Sequence, residues 1–357
     1  MIISILRFMS KTNPHLTSLS NKLLQAIVVP SNDYKTSFND LWSFLKMRSL
    51  PDIKKTSFKE IPYEYDIYEN EYMTDMVVTK VHSIQDLQQT IIKYHMDSLS
   101  ISLHIIHRAN ELLHKFVKTI IYIIQFIYSL SPPQNKDLTI TYYLLDIPKQ
   151  LPKQFIKNPQ PLSKNNVNSG MCERHPYSSK ITIWRKEEVV KVTIHELIHA
   201  FNYDSMDDSP ELIQHYQQKY GITSTHINSF EAYTEIWAKI CNCFLLSKQQ
   251  NDFVKCLHTE KIFSDVQKEI ILYSCSTNKD INKHTNCLAY YVICNELLHN
   301  LPEFIQYCKV YNKHYIQSIS SNKWNSFLQD IPQQKNKKVK SQQKSLKMCI
   351  YDYNVFS

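Results

Sequence analysis

The stretch from residue 192 to residue 201 constrains the chain most, because it places two histidines and a glutamate in an otherwise apolar run. It contains neither proline nor glycine, and its apolar positions predict a helix that is buried on most of its faces. A helix advances by about 100° per residue, so His195 and His199 lie on one face, one turn apart. Both imidazoles can then bind a single Zn²⁺, and Glu196 is placed to act on a water beside it. The pattern predicts a metal site of the kind that activates water.

The alternative is a buried helix whose two histidines only satisfy backbone carbonyls. Burying two imidazoles and a carboxylate together without a metal is costly. Residues 192–201 also carry no charge other than that of Glu196, whereas a chance match on a solvated helix is usually flanked by Lys, Gln or Ser. The metal site is therefore the favoured interpretation.

A third ligand is predicted on a second helix, over residues 227–237. Glu231 and Glu235 are four residues apart, so they share one face of that helix. Glu231 is the predicted third metal ligand, and Glu235 is placed to accept a hydrogen bond from the far N–H of His195. Because 31 residues lie between His199 and Glu231, the alternative that Glu235 binds the metal stays open.

These two helices resemble those of gluzincins, zinc metallopeptidases with His-Glu-x-x-His on one helix and a ligand glutamate on the next. The run from Glu231 to Trp237 is similar to the Glu-Ala-x-Ser-Asp-Ile-aromatic run of the thermolysin-like members, and the resemblance covers roughly residues 139–246. The gap before Glu231 is longer than in those enzymes, which indicates an insertion near residues 203–226. The metzincin pattern does not fit, since Asn202 and Ser205 stand where it has glycine and a ligand.

The resemblance implies an α+β, zincin-like metallopeptidase fold. Its upper subdomain would hold a small mixed sheet and the active-site helices, and its lower subdomain would be all-helical. The implied activity is zinc-dependent hydrolysis of peptide bonds, with Glu196 as general base. The resemblance also implies a lower-subdomain residue that stabilises the oxyanion, for which Tyr290 or Tyr291 is the candidate, with His284 behind.

Residues 165–172 occupy the place where gluzincins carry the edge strand that lines the substrate cleft. An edge strand pairs with an extended peptide through its backbone, so Asn168, Ser169 and Gly170 are predicted to bind the substrate. Gly170 would let a substrate backbone approach closely. The alternative is an ordinary Asn/Ser/Gly loop.

Four regions are predicted along the chain. They are an N-terminal region of unknown role (1–96), the upper catalytic subdomain (97–204), the lower helical subdomain with the third ligand (205–330) and a basic, flexible tail (331–357). Apolar periodicity predicts one long helix over residues 98–130, and β-branched and aromatic residues predict strands at 138–145 and 180–185. The acidic turn from Asn202 to Pro210 is interpreted as solvated, with calcium binding as the alternative.

Composition excludes several other classes of protein. Gly170 and Gly221 are the only glycines, so no glycine-rich nucleotide-binding loop can exist in the chain. No apolar run is long enough to span a membrane. The net charge of +8 includes six lysines within residues 331–357, and nucleic-acid binding is expected only if that tail provides it.

The cellular setting is predicted to be cytoplasmic, because nine irregularly spaced cysteines favour reduced thiols. Residues 184–188 and the high Lys, Asn, Ile and Tyr content are similar to those of metalloproteases of large cytoplasmic DNA viruses. The rival function is a catalytically silent zincin-fold protein that acts as a binding or scaffold protein. Intact Glu196 argues against it, because a structural zinc site does not need that carboxylate.

Overall fold

The structure is a computed structural model, and it describes most of the chain from residue 35 onward. The described residues are 15–16, 35–67, 73, 75–108, 113–133, 137–152, 155, 159–247, 249–275, 279–332, 346–351 and 353–355. Most of the N-terminal region up to residue 34 and most of the lysine-rich part of the tail lie outside them.

A six-stranded mixed sheet forms the centre of the fold, with the strand order β2-β3-β4-β5-β7-β6. β4 and β5 are parallel, as are β5 and β7, and the other neighbours are antiparallel. A separate short pair joins β1 to β8. The strands are β1 (His15–Leu16), β2 (Ile53–Pro62), β3 (Leu87–Met96), β4 (Leu99–Arg108), β5 (Asp137–Leu145), β6 (Gly170–Arg174), β7 (Ser178–Arg185) and β8 (Tyr353–Asn354).

Helices pack against the sheet and build the rest of the molecule. They are α1 (Lys35–Lys46), α2 (Asp75–His82), α3 (His114–Leu130), α4 (Lys164–Val167), α5 (Val189–Ala200), α6 (Pro210–Tyr220), α7 (Ser229–Leu246), α8 (Gln250–Cys275), α9 (Cys294–His299), α10 (Leu301–Tyr311) and α11 (Ser321–Asp330). A π-helical segment, Leu288–Ile293, precedes α9. The α+β class and the mixed sheet are therefore confirmed.

The prediction of one helix over residues 98–130 is wrong in its first half. Residues 99–108 form β4, whose apolar residues alternate (Leu99, Ile101, Leu103, Ile105) and are buried. That period of two is typical of a strand. Only α3, the continuous apolar part after residue 113, is helical. Within the part of the chain that the structure describes, no helix is long and apolar enough to cross a membrane.

The main core lies between the sheet and the helices α3, α5 and α7. α5 packs against α3, α7, β6 and β7, so the helix that carries both histidines lies at the centre of this core. A second, smaller cluster on the sheet includes Trp184, Met171, Tyr143 and the buried side of α2. β6 is the edge strand, and it lies directly beside α5.

The end of the chain is not a flexible tail throughout. Residues 333–345, which contain five of the six tail lysines, lie outside the described residues. Leu346, Met348 and Tyr351, by contrast, are buried in the main core. The backbone of this segment donates to buried carboxylates, from Cys349 N to Glu188 Oε1 (2.7 Å) and from Ile350 N to Glu260 Oε1 (2.9 Å). The prediction of a flexible tail is thus wrong for the described residues between 346 and 355.

Candidate metal centre

α5 is completely buried and is bonded to two strands of the sheet. Every residue from Val189 to Ala200 is buried, as the apolar run predicts. The hydroxyls of Tyr142 on β5 and Thr193 lie 3.1 Å apart, and Ser179 on β7 donates to the carbonyl of Ala200 (3.1 Å). The middle and the C-terminal end of the histidine helix are therefore bonded to the central strands.

Three ligand-type atoms converge between α5 and α7. His195 Nε2 lies 3.1 Å from His199 Nε2, and Glu231 Oε2 lies 3.3 Å and 3.2 Å from these two nitrogens. A tetrahedral zinc site with bonds of about 2.0–2.1 Å has neighbouring ligand atoms about 3.3 Å apart. His195, His199 and Glu231 therefore form a group that could hold a metal ion.

The other ring nitrogen of each histidine faces a carboxylate. His195 Nδ1 lies 3.0 Å from Glu235 Oε2, and His199 Nδ1 lies 2.5 Å from Asp204 Oδ2. An ionised carboxylate only accepts hydrogen bonds, so each Nδ1 carries the proton and each Nε2 of a neutral ring presents a lone pair. Two lone pairs and a carboxylate oxygen then face one another, an arrangement that a cation satisfies.

Asp204 is a functional candidate that the sequence interpretation missed. The sequence predicts a solvated or calcium-binding turn here, yet Asp204 is buried and bonded to His199, Thr234 and Arg174. The chain reverses direction after α5 because Asn202 adopts a left-handed conformation (φ 60°), and this brings Asp204 back to His199. Asparagine tolerates this conformation better than most residues. In the sequence, an asparagine at the end of a helix with an aspartate two residues later is the signal that could have indicated this turn.

Replacing Asp204 by alanine should weaken zinc binding about 10–100-fold, as the loss of a carboxylate that orients a ligand histidine does. Chelator competition with the purified protein measures the affinity. Asp207→Ala is the matched control, because Asp207 belongs to the same turn but is exposed. Equal zinc affinity in both variants would remove Asp204 from the centre.

Glu235 lies in a buried network of charges behind His195. Its carboxylate contacts Lys191 Nζ (2.5 Å) and lies 3.8 Å from Lys239 Nζ, which also contacts Glu260 (3.2 Å). Burial alone would raise the pKa of Glu235, but Lys191, the hydrogen bond from His195 and Lys239 lower it to about 2. Glu235 is therefore ionised and available to accept from His195.

Glu231 and Glu196, the two glutamates that face the cleft, differ in their acidity. Burial acts to raise the pKa of Glu231, but both histidines lower it well below its usual range. Burial raises the pKa of Glu196, and the histidines oppose this effect without cancelling it. A weaker acid is a stronger base, so Glu196 is the better proton acceptor of the two.

Gly170 on the edge strand touches Glu196 directly. A Cβ atom at position 170 would lie 2.8 Å from Glu196 Oε1 and 3.0 Å from Val192 Cγ1. The sequence predicts that a substrate backbone enters this space. The structure places the Glu196 carboxylate there. Because Gly170 has no side chain, the edge strand can approach this carboxylate closely.

Substituting Gly170 by alanine should displace the Glu196 carboxylate, and a displacement of about 1 Å would slow a reaction that uses this carboxylate as its base about 10²-fold. Zinc should stay bound, because the three ligand-type atoms belong to other residues. Rates and zinc content measured on the same sample test both statements. In a Glu196→Ala background, Gly170→Ala should lower the melting temperature less than it does in the wild type. An equal loss in both backgrounds would show that contact with Glu196 is not the cause.

The three residues predicted to stabilise the oxyanion lie in different surroundings. The Tyr290 ring packs edge-on against His195, with centroids 5.9 Å apart, and it lines the same cleft as Glu196. Tyr291 is buried and donates to the carbonyl of Leu346 (2.8 Å), so it has a packing role outside the cleft. His284 is exposed. Of the three, Tyr290 is the one beside the metal group.

The predicted substrate-binding residues lie at the start of β6, and Val167 ends the short helix α4 before it. The Asn168 side chain accepts from Thr285 (2.7 Å). Ser169 is buried, and its carbonyl accepts from Trp184 N on β7 (3.0 Å). Bonded and outward-facing positions alternate along an antiparallel strand, so the backbone groups of Gly170 point away from β7, towards the open edge.

Arg185 is a second residue that the sequence interpretation missed. It is buried at the end of β7, and its guanidinium donates to the carbonyls of Asn168 (2.9 Å), Ile147 (2.7 Å) and Asn165 (2.5 Å). Three donors on one planar group fix the path of the chain into β6. Arg185 is thus a positioning residue for the edge strand.

These contacts bring together in one cleft a group that could hold a metal ion, a carboxylate that is a candidate base, and an open strand edge. Glu196 and Tyr290 both line it, together with the turn that leads into β6. A comparison of the chain with protein-family models, with curated proteins and with solved structures found no match.

Proposed function

We propose that this protein is a zinc-dependent peptidase of the gluzincin type, with a zincin-like fold. The observation that carries the proposal is the convergence of His195 Nε2, His199 Nε2 and Glu231 Oε2 within 3.3 Å of one another. Their geometry matches the spacing of zinc ligands, and the carboxylates of Glu235 and Asp204 orient both rings. Two imidazoles with one carboxylate is a common ligand set of catalytic zinc sites.

Zinc held by these three residues would supply Lewis acidity to a water and to the scissile carbonyl. Glu196 takes the proton from the attacking water and passes it to the leaving amine. Its raised pKa suits it to both steps. Tyr290, which packs on His195, is placed to donate its hydroxyl to the oxyanion.

The edge strand β6 supplies the peptide-binding element in this proposal. An extended substrate adds to the open edge of the sheet through backbone hydrogen bonds. Gly170 itself lies over Glu196, since a Cβ atom at this position would be 2.8 Å from Glu196 Oε1. The scissile bond of a peptide paired with β6 would therefore lie close to the base.

The test is hydrolysis of a mixed peptide library by purified protein. The expected result is cleavage that a chelator abolishes and that one equivalent of Zn²⁺ restores. Cleavage that the chelator leaves unchanged would contradict the metal mechanism. Zinc binding without cleavage of any peptide would favour a silent zincin-fold binding protein instead.

A further inference from the structure

A cavity of about 330 Å³ lies at the carboxyl ends of the three parallel strands. β4, β5 and β7 run in the same direction. Arg108 ends β4, while Asp146 and Lys186 directly follow β5 and β7, and all three residues line the cavity. Ligand pockets have volumes of about 300–1,000 Å³, and open sheets bind ligands outside the carboxyl ends of their parallel strands. The cavity therefore has the size and the place of a small-molecule site.

The cavity is separate from the metal group. Along β4, Ile105 belongs to the main core and Ile106 to the smaller cluster, because neighbouring residues of a strand point to opposite faces. Ile106 lines the cavity, whereas α5 packs in the main core. His195, His199 and Glu231 are not among the lining residues. A ligand in the cavity would therefore not touch the metal group.

The inner wall of the cavity is apolar. Val81 on α2, Leu87 at the start of β3 and Ile106 near the end of β4 line it and are buried. Ile84, between α2 and β3, also lines it and is half-buried. Burying an apolar group against such a wall is favourable, because it removes apolar surface from water. The wall therefore favours a ligand with an apolar body.

β5 has a bulge where it meets the cavity. The register of β5 against β7 shifts between Tyr142 and Leu145. Two residues of β5, Tyr143 and Leu144, there lie opposite one residue of β7, and both line the cavity. Bulges disrupt the ladder locally and are over-represented next to active sites. This irregularity of the sheet supports a ligand site at the same place.

Three cations line the mouth of the cavity. Lys80 and Arg108 are exposed, and the side chain of neither forms an ion pair or a hydrogen bond with the described residues. Arg108 is two residues from Ile106 and therefore lies on the same face of β4. Lys186 Nζ lies 4.0 Å from Asp146 Oδ2, and such a solvated ion pair is worth little. The cations at the mouth can therefore bind an anion.

Negative charge is scarce in the lining. Asp146 is the only acid among the lining residues, and its side chain is 85% exposed. Asp66 and Asp86, on adjoining segments, are exposed and do not line the cavity. His107 uses both ring nitrogens in hydrogen bonds of 2.9 Å and 2.8 Å within the sheet, so it needs no ligand. The lining thus holds three cationic side chains and one acidic side chain.

We propose that this cavity binds a small organic anion. Its apolar body lies against the inner wall, and its phosphate or carboxylate group lies between the cations at the mouth. Arg108 suits either group, because a planar guanidinium donates two parallel hydrogen bonds to two oxygens. Lys80 and Lys186 add positive charge on the same side. The proposal goes beyond the peptidase function and does not depend on it.

The test is isothermal titration calorimetry with four compounds that share one ring and differ in charge: phenyl phosphate, benzoate, benzyl alcohol and benzylamine. The better of the two anions should bind about tenfold more tightly than benzyl alcohol, the worth of a hydrogen bond to a charged group, and benzylamine should bind most weakly. The order of phenyl phosphate and benzoate identifies the preferred anionic group. Binding of neither anion at about 1 mM, or equal binding of benzyl alcohol, would overturn the proposal.

Arg108→Glu is the decisive variant, because Arg108 is exposed and its replacement should not impair folding. It should weaken binding of both anions about tenfold and strengthen binding of benzylamine. Lys93→Glu is the matched control, since Lys93 is exposed on the same face of β3 as Leu87 but does not line the cavity. It should leave all four affinities unchanged. An equal effect of both substitutions would show that the anions respond to overall charge and would overturn the proposal.

Two further measurements locate the ligand. Ile84→Ala should reduce the advantage of phenyl phosphate over inorganic phosphate, because only the ester has an apolar body; an unchanged advantage would refute contact with the inner wall. A chelator should leave all affinities unchanged, since the cavity does not touch the metal group. Loss of anion binding on removal of the metal would place the anion at the metal group and overturn the proposal. Anion binding that persists in a protein without peptidase activity would refute the peptidase function alone.

Discussion

Replacing Glu196 by glutamine should lower peptide hydrolysis by about 10²–10⁴-fold, the usual contribution of a general base. Glutamine keeps the shape of the side chain beside Gly170 but cannot accept a proton. Zinc should remain near one equivalent, because Glu196 is outside the His195–His199–Glu231 group. Steady-state rates and metal analysis of the same preparation test this prediction.

The matched control is Glu211→Gln, which neutralises an exposed carboxylate on α6. It should leave both hydrolysis and zinc content unchanged. Loss of zinc together with activity in Glu196→Gln would mean that Glu196 has a structural role at the centre and is not the base.

Replacing Glu231 by alanine should abolish stoichiometric zinc binding, because it removes one of the three converging ligand atoms. Glu235→Gln should weaken binding only about 10–100-fold, since glutamine can still accept from His195. Zinc affinity measured by chelator competition separates the two variants. The reverse order would exchange their roles, the alternative that the long spacing from His199 leaves open.

The two variants should also differ in stability. Glu235 faces Lys191 and Lys239, both buried, and neutralising it leaves those cations poorly paired. Removing one partner of a buried ion pair costs about 3–5 kcal/mol. Thermal unfolding of the metal-free proteins should therefore show the larger decrease for Glu235→Gln, opposite to the order of zinc affinities.

The parts of the site that depend on local sequence were predictable. The apolar run around His195 and His199 predicts a buried helix, and α5 has all its residues buried. The four-residue spacing of Glu231 and Glu235 places both on one face of α7, and both approach His195. Local periodicity suffices for such features, because neighbours one turn apart always share a helix face.

Features that depend on distant contacts were not predictable. Asp204 reaches His199 only because the chain reverses at Asn202. The segment from Leu346 to Tyr351 is buried because its backbone donates to Glu188 and Glu260, residues far away in sequence. A lysine-rich composition nearby predicts a solvated tail, and no local pattern reports such partners.

The central claim is that one Zn²⁺ held by His195, His199 and Glu231 is required for peptide hydrolysis. Titration of metal-free protein with Zn²⁺, with bound metal and hydrolysis followed together, tests it most directly. We predict that activity rises linearly and stops at one equivalent in the wild type, and that His199→Ala shows neither tight binding nor activity. Full activity in the metal-free protein, or one tightly bound zinc in His199→Ala, would contradict the claim.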